Sequence, residues 1–152
     1  MAERAQYVTL GVSSEILAAP VEQVQEILDM RPVAHLPQSP PNLLGMTDVR
    51  GEGIPVLDLR LTLGLPAAED TENTRIVVLK LETGERLLTV GLRTDRVFEV
   101  TALDSAELSP PPMVNGEWKG HSVSGIGRRN GAFVTVLDLE KLIVQGAPAL
   151  MA

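Results

Sequence analysis

The sequence predicts a mainly β fold built from two versions of one small β module. Three observations carry that expectation. Apolar residues fall in short β-branched or leucine-rich runs, turn residues punctuate those runs, and a stretch of the first half recurs in the second.

The strand signals come in order along the chain. Val8, Leu10 and Val12 share one face of the first run, the period of a half-buried strand. Runs at 54–59, 75–81, 87–92 and 132–137 predict further strands. Helical periodicity is sparse. Val21, Val24 and Ile27-Leu28 repeat at three- to four-residue spacing and predict a turn or two of helix. Asp58 opens an apolar segment at 59–63 that Gly64 and Pro66 close. Asp138 opens another at 139–144 that Gly146 and Pro148 close. Each reads as a short helix with an aspartate cap and a glycine stop.

Those two segments belong to the repeat. Residues 45–59 align without gaps on 125–139, a shift of 80 positions that matches Gly45 to Gly125, Gly51 to Gly131 and Val56-Leu57-Asp58-Leu59 to Val136-Leu137-Asp138-Leu139. A second echo sets Val24-Gln25-Glu26-Ile27 against Val97-Phe98-Glu99-Val100, 73 positions later. The polar, acidic stretch at 66–73 marks the expected break, giving lobes near 15–66 and 74–144, with the first strand of a module able to cross between them. Half-chains of that size bury only about 60% of their unfolded surface. The two lobes are therefore expected to share a core as one domain over residues 1–152.

Composition narrows the function. Thirteen Lys and Arg against 20 Asp and Glu leave a net charge of -7, which argues against binding nucleic acid or an anionic membrane surface. With no cysteine, disulfides, thiolate chemistry and cysteine-held metals are excluded. Aromatics are 3% of the chain, so the core must be aliphatic. The apolar runs, about six residues at most, are too short to cross a bilayer. The polar start, Met1-Ala2-Glu3-Arg4, is unlike a secretory signal, so a soluble cytoplasmic protein is expected.

Candidate chemistry is thin. Asp58 and Asp138 on related lobes resemble an aspartic-protease dyad, but each precedes Leu and a helix, so capping is the expected role. The glycine loop at 125–131 leads into a strand rather than a helix, which favours a tight hairpin at Asn130-Gly131 over phosphate binding. His35 and His121 have no ligand at metal spacing, and Ser13, Ser14 and Ser122 have no adjacent base. No spacing selects a carboxylate pair for glycoside chemistry. The segment from Gly45 to Pro55 differs. Its glycines frame Arg50 between Asp48 and Glu52, and an arginine on a rigid turn forks onto a carboxylate, either of a partner or within the chain at Asp48, Glu52 or Glu26.

At this loop the sequence resembles the CheW family of chemotaxis coupling proteins. The resemblance runs through Asn42-Leu43-Leu44-Gly45-Met46-Thr47-Asp48-Val49-Arg50-Gly51, Ile54-Pro55-Val56-Leu57-Asp58-Leu59-Arg60 and Leu63-Gly64-Leu65-Pro66. The segments Pro20-Val21-Glu22-Gln23-Val24-Gln25-Glu26-Ile27, Thr74-Arg75-Ile76-Val77-Val78, Val90-Gly91-Leu92-Arg93-Thr94-Asp95, Ser109-Pro110-Pro111-Pro112 and Gly125-Ile126-Gly127-Arg128 follow the family's order, so roughly residues 6–144 are covered.

The resemblance implies two pseudo-symmetric five-stranded SH3-like barrels around a shared hydrophobic core, with a few short helices. It implies a protein without catalytic activity or cofactor. Such a protein bridges the cytoplasmic tip of methyl-accepting chemoreceptors to the histidine kinase CheA and contacts the C-terminal regulatory domain of that kinase. Carried over by position, it assigns Val24 and Glu26 to the receptor helices, Gly45 to the same groove, and Arg50 and Gly51 to the coupling turn. Asp48 stands where the family has Asn, Gly53 where it has an aliphatic residue, and Ala18-Ala19 where a bulkier pair precedes the proline. Val24 is expected to supply an apolar contact and Glu26 a rim charge. Two readings stand beside the adaptor: a carboxylate-dependent hydrolase using Asp58 and Asp138, and an adaptor of the same fold in a motility or biofilm circuit.

Overall fold

The computed structural model describes residues 5–111 and 122–146. His121 and Trp118 lie outside the described residues. Among the described residues, ten strands form two five-stranded sheets. The first sheet runs in the order β8 (Arg96–Thr101), β1 (Tyr7–Val12), β2 (Glu15–Pro20), β10 (Ala132–Leu137), β9 (Val123–Arg129). The second runs β3 (Val24–Asp29), β6 (Arg75–Thr83), β7 (Arg86–Thr94), β5 (Glu52–Asp58), β4 (Leu43–Val49). Helices α1 (Leu59–Thr62) and α2 (Leu139–Gly146) follow β5 and β10. Among the described residues no ladder joins β3 to β4 or β8 to β9, so each sheet is open.

The two sheets repeat each other strand for strand. β5 pairs parallel to β7 through Val56↔Gly91, and β10 pairs parallel to β2 through Val136↔Ala18. Met46 on β4 forms an isolated bridge to Ala34, and Ile126 on β9, the repeat-equivalent position, forms one to Ser109. The echo of 24–27 in 97–100 also has a structural meaning, since β3 and β8 are the corresponding edge strands.

The core explains the strand assignments. Leu10, Leu17, Leu57, Val77, Leu79, Leu92, Leu142 and Ile143 belong to one cluster that joins both sheets and α2. Alternate residues serve a smaller cluster within each sheet: Ile54, Val56, Ile76 and Val78 in one, Ala18, Val134 and Val136 in the other. A strand such as β6 is therefore buried on both faces and reads as a continuous apolar run. Each fully buried Leu, Ile or Val contributes roughly 1.5–3 kcal/mol relative to exposure, which compensates for the scarcity of aromatics.

Several expectations are corrected here. Val21–Gln23 is one 3-10 turn, and the rest of the expected helix is strand β3. Its three- to four-residue apolar spacing coexists with the alternation of Val24, Glu26 and Leu28 turned inward against Gln25, Ile27 and Asp29. β1 is not half-buried, because Thr9 is as buried as its apolar neighbours and donates its hydroxyl to the Glu99 carbonyl. The sequence runs also did not announce β2, β4, β8 or β9. The break at 66–73 does not divide the sheets at 15–66 and 74–144. β3, β4 and β5 before it share a sheet with β6 and β7 after it, while the N-terminal hairpin β1–β2 completes the sheet of β8, β9 and β10. Backbone pairing favours neighbours in space, and the chain crosses between sheets after β2 and again after β7.

Candidate functional site

The β4–β5 hairpin closes in two residues, since Val49 faces Glu52 across the ladder. Arg50 has φ 55 and Gly51 φ 83, the paired left-handed conformation of a type I′ turn. A type I′ turn suits Asn-Gly, and the matching hairpin has it, with Asn130 at φ 52 and Gly131 at φ 85. Arg50 holds this conformation at the expected cost of about 1–2 kcal/mol for a residue with a Cβ. Asp48 supports it by accepting a hydrogen bond from the Gly51 N–H at 2.8 Å.

The Arg50 guanidinium reaches Glu26 on β3, with Nε 3.4 Å from Oε2. Of the three carboxylates offered by the sequence, Glu26 is thus the partner, while Asp48 serves the turn. The Arg50 side chain is 80% exposed and that of Glu26 18% exposed. The pair bridges the two edge strands of an open sheet and leaves most of the guanidinium in solvent. Glu26, Asp48, Arg50 and Gly51 therefore lie together.

Val24 and Gly45 play other parts. Val24 is half-buried and packs against the main core. The exposed apolar residue of β3 is Ile27, at 40%; the inside–outside alternation of a strand would have located it, whereas helical spacing hid it. Gly45, at φ 144, sits under the loop before β4. A Cβ there would lie 2.0 Å from the Ala34 carbonyl oxygen. Its lack of a side chain admits the reciprocal Ala34–Met46 backbone bonds at 2.7 and 2.9 Å. Gly45 thus shapes the hairpin from beneath.

Two further arginines anchor the base of this sheet. Arg93 on β7, 4% exposed, donates to Asp70 at 2.6 Å and to the Ala68 carbonyl at 2.9 Å, and its Nη1 lies 3.7 Å from Asp58. Arg60 on α1 meets Asp95 through Nε at 3.0 Å and Nη2 at 2.9 Å. Burial opposes the charge on Asp95, but hydrogen bonds from the Arg60 guanidinium and the Ser13 N–H outweigh it and hold the carboxyl below the usual aspartate range. The same pairing raises Arg60 above its ordinary value.

The two repeated aspartates cap their helices, the role expected of them. Asp58 accepts from the Arg60 N–H at 3.0 Å and Asp138 from the Lys141 N–H at 3.1 Å. His35 is an exposed loop residue. A cleft of about 880 Å³ lies beside Leu108, Ile126, Arg128 and Phe133 on the other sheet, away from the Glu26–Arg50 pair.

Comparison with known proteins meets this geometry at one point. The family model described as CheW-like domain matches residues 6–146, from before β1 to the end of α2. The chain belongs to the CheW-like domain family. Among CheW-like relatives, the chemotaxis protein CheW of Klebsiella aerogenes is 29% identical over 143 residues, 94% of this chain and 82% of its own. That of Helicobacter pylori is 26% identical over 138 residues, 91% and 81%. Protein FrzA of Myxococcus xanthus is 30% identical over 129 residues, 84% and 78%. In fold, the chain is similar to the crystal structure of the scaffolding protein TtCheW from Thermoanaerobacter tengcongensis, with a TM-score of 0.79 at 24% identity over 93% of each chain. This CheW-like chain is a chemotaxis adaptor. Among its described residues, no helix is long and apolar enough to cross a membrane.

Proposed function

We propose that this chain couples methyl-accepting chemoreceptors to the histidine kinase CheA by binding alone, with no catalytic step. The observation that carries this reading is the Glu26–Arg50 pair on the open side of a sheet, presented by a rigid two-residue turn and largely exposed on its arginine side. An exposed fork of fixed direction recognises a partner's carboxylate or helix end and has no bound group to activate.

Glu26, Asp48, Arg50 and Gly51 form the contact surface. Val24 and Gly45 set its shape from below. The receptor's cytoplasmic tip, a helical hairpin, lays one face against this surface. The C-terminal regulatory domain of CheA is the second partner. Each contact is of low to standard size, about 800 Å² or less per partner, and gains by repetition in an array. The adaptor is cytoplasmic and is recruited to membrane receptor arrays. Residues 1–152 act as one domain, and each sheet curls toward an SH3-like barrel. Ion pairs between facing edge strands, Glu26–Arg50 in one sheet and Glu99–Arg129 at 3.3 Å in the other, support that curvature.

The test is a titration against the CheA regulatory domain at low and high salt. Saturable one-to-one binding that weakens in Arg50→Ala supports the reading. A folded protein that binds no CheA paralogue overturns it and points to the same fold in a different motility circuit.

A further inference from the structure

The sequence contains two Asn-Gly dipeptides, Asn115-Gly116 and Asn130-Gly131. The second is described and forms the exposed tip of the β9–β10 hairpin. Asn-Gly is chemically labile because glycine leaves its amide nitrogen unhindered. The Gly131 nitrogen, once deprotonated by water or hydroxide, can attack Cγ of Asn130. The N–Cγ bond forms, the Cγ–Nδ2 bond breaks, and ammonia leaves with the proton it gains. Water then opens the cyclic imide to aspartate or isoaspartate. No oxidant or cofactor enters.

The structure opposes this step at one residue. The Asp104 carboxylate accepts the Asn130 N–H at 2.9 Å and the Gly131 N–H at 3.0 Å, one on each oxygen. Its own N–H donates to the Arg128 carbonyl at 2.8 Å, and Arg128 returns a bond from Nη1 to the Gly131 carbonyl at 3.1 Å. The attacking nitrogen is therefore clamped through the proton it must lose, beside a negative charge that disfavours an anionic amide. The left-handed pair, φ 52 and 85, is fixed at both ends by the Arg129↔Ala132 register.

We propose that Asp104 is the positioning residue that protects the labile Asn130-Gly131 pair from spontaneous deamidation in the folded chain. The two turn N–H groups keep Asp104 ionised by drawing its carboxyl below the usual range. The product adds a negative charge at a turn position whose N–H Asp104 already holds. An isoaspartate also inserts a backbone carbon into a two-residue loop that has no room for it in a type I′ turn. The matching turn of the other sheet has Arg50 in the first position and is closed to this chemistry.

The full chain is incubated at neutral pH, and conversion at residue 130 is followed by peptide mass spectrometry and isoaspartate methyltransferase labelling. Native wild type, native Asp104→Ala and wild type in urea are compared, with Asn115-Gly116 in urea calibrating the unguarded rate. Native wild type is expected to convert at least about tenfold more slowly than the urea sample, the worth of one charge-assisted hydrogen bond. Asp104→Ala should recover most of that factor with its circular dichroism unchanged. Asp104→Asn, which keeps one acceptor oxygen without the charge, should fall between, and it decides the matter if the alanine variant does not fold. Equal rates in native and unfolded wild type, or variants as protected as wild type, overturn the proposal.

Discussion

Arg50 and Glu26, 24 positions apart, meet at 3.4 Å across the open side of the second sheet. The contact ties the β4–β5 turn to edge strand β3, and Asp48 holds the turn so that the guanidinium points there. Open to solvent on its arginine side, the pair contributes about 1 kcal/mol or less to stability. Arg50→Ala and Glu26→Lys are therefore expected to fold normally and to weaken receptor or kinase coupling. Receptor-stimulated kinase activity, measured beside a urea melt, checks this; two folded variants with normal coupling would remove these residues from the contact surface.

The left-handed turn separates backbone cost from contact. Arg50→Gly and Arg50→Ala both delete the ion pair, but only alanine keeps a Cβ at φ 55. The glycine variant should be more stable than the alanine variant by about 1 kcal/mol, with coupling lost equally in both. Paired denaturant melts read the difference.

Gly45→Ala should look like a coupling mutant for a structural reason. Its Cβ meets the Ala34 carbonyl oxygen at 2.0 Å, so the loop before β4 must lift. A loss of about 3 kcal/mol is expected. At Gly125 the same substitution first meets the Leu108 side chain, at 2.8 Å, and should cost less. Urea midpoints for the two variants test the order.

Arg93 is buried between two carboxylates of unequal exposure, with the Asp58 side chain at 4% and Asp70 at 53%. Removing the arginine takes away the cation 3.7 Å from buried Asp58, at an expected cost of about 3 kcal/mol. Removing Asp70 should cost about 1 kcal/mol or less, as for an exposed pair. The reverse order in thermal or urea melts would show that Asp58 finds another partner.

Asp95 sets a pH dependence. Its folded pKa is depressed, so its stabilising contribution is present in full above the unfolded aspartate value, about 3.9, and is lost as pH falls through the lower folded value. Wild type should exceed Asp95→Asn in stability at neutral pH, and the gap should close in acid below about pH 4. A gap independent of pH would mean that the Arg60–Asp95 pair does not carry the effect.

Much of this protein was legible before folding because the signals were local. An aspartate ahead of a short apolar run caps a helix wherever the chain goes, and Asp58 and Asp138 do so. Asn130-Gly131 makes a type I′ turn because two adjacent residues supply the left-handed pair. The repeat foretold that 45–59 and 125–139 would form equivalent units, and their hairpins and bridges match. The arginine turn was equally visible, with its three candidate carboxylates.

Tertiary structure decided what depends on distant partners. Val24 to Asp29 became a strand because β6 lies beside it, whatever its helical spacing suggested. Which face of β3 meets solvent followed from that pairing, turning Val24 inward and Ile27 outward. Glu26 rather than Asp48 or Glu52 pairs with Arg50 because curvature of the sheet brings β3 near the turn, while Asp48 is occupied by the Gly51 amide. The allocation of strands to sheets, with the N-terminal hairpin beside β8 and β10, rests on hydrogen bonds between segments more than 75 residues apart, such as Thr9 to Glu99 with a separation of 90. A local pattern encodes burial and turns. Only the assembled ladder and core fix which edges and charges meet.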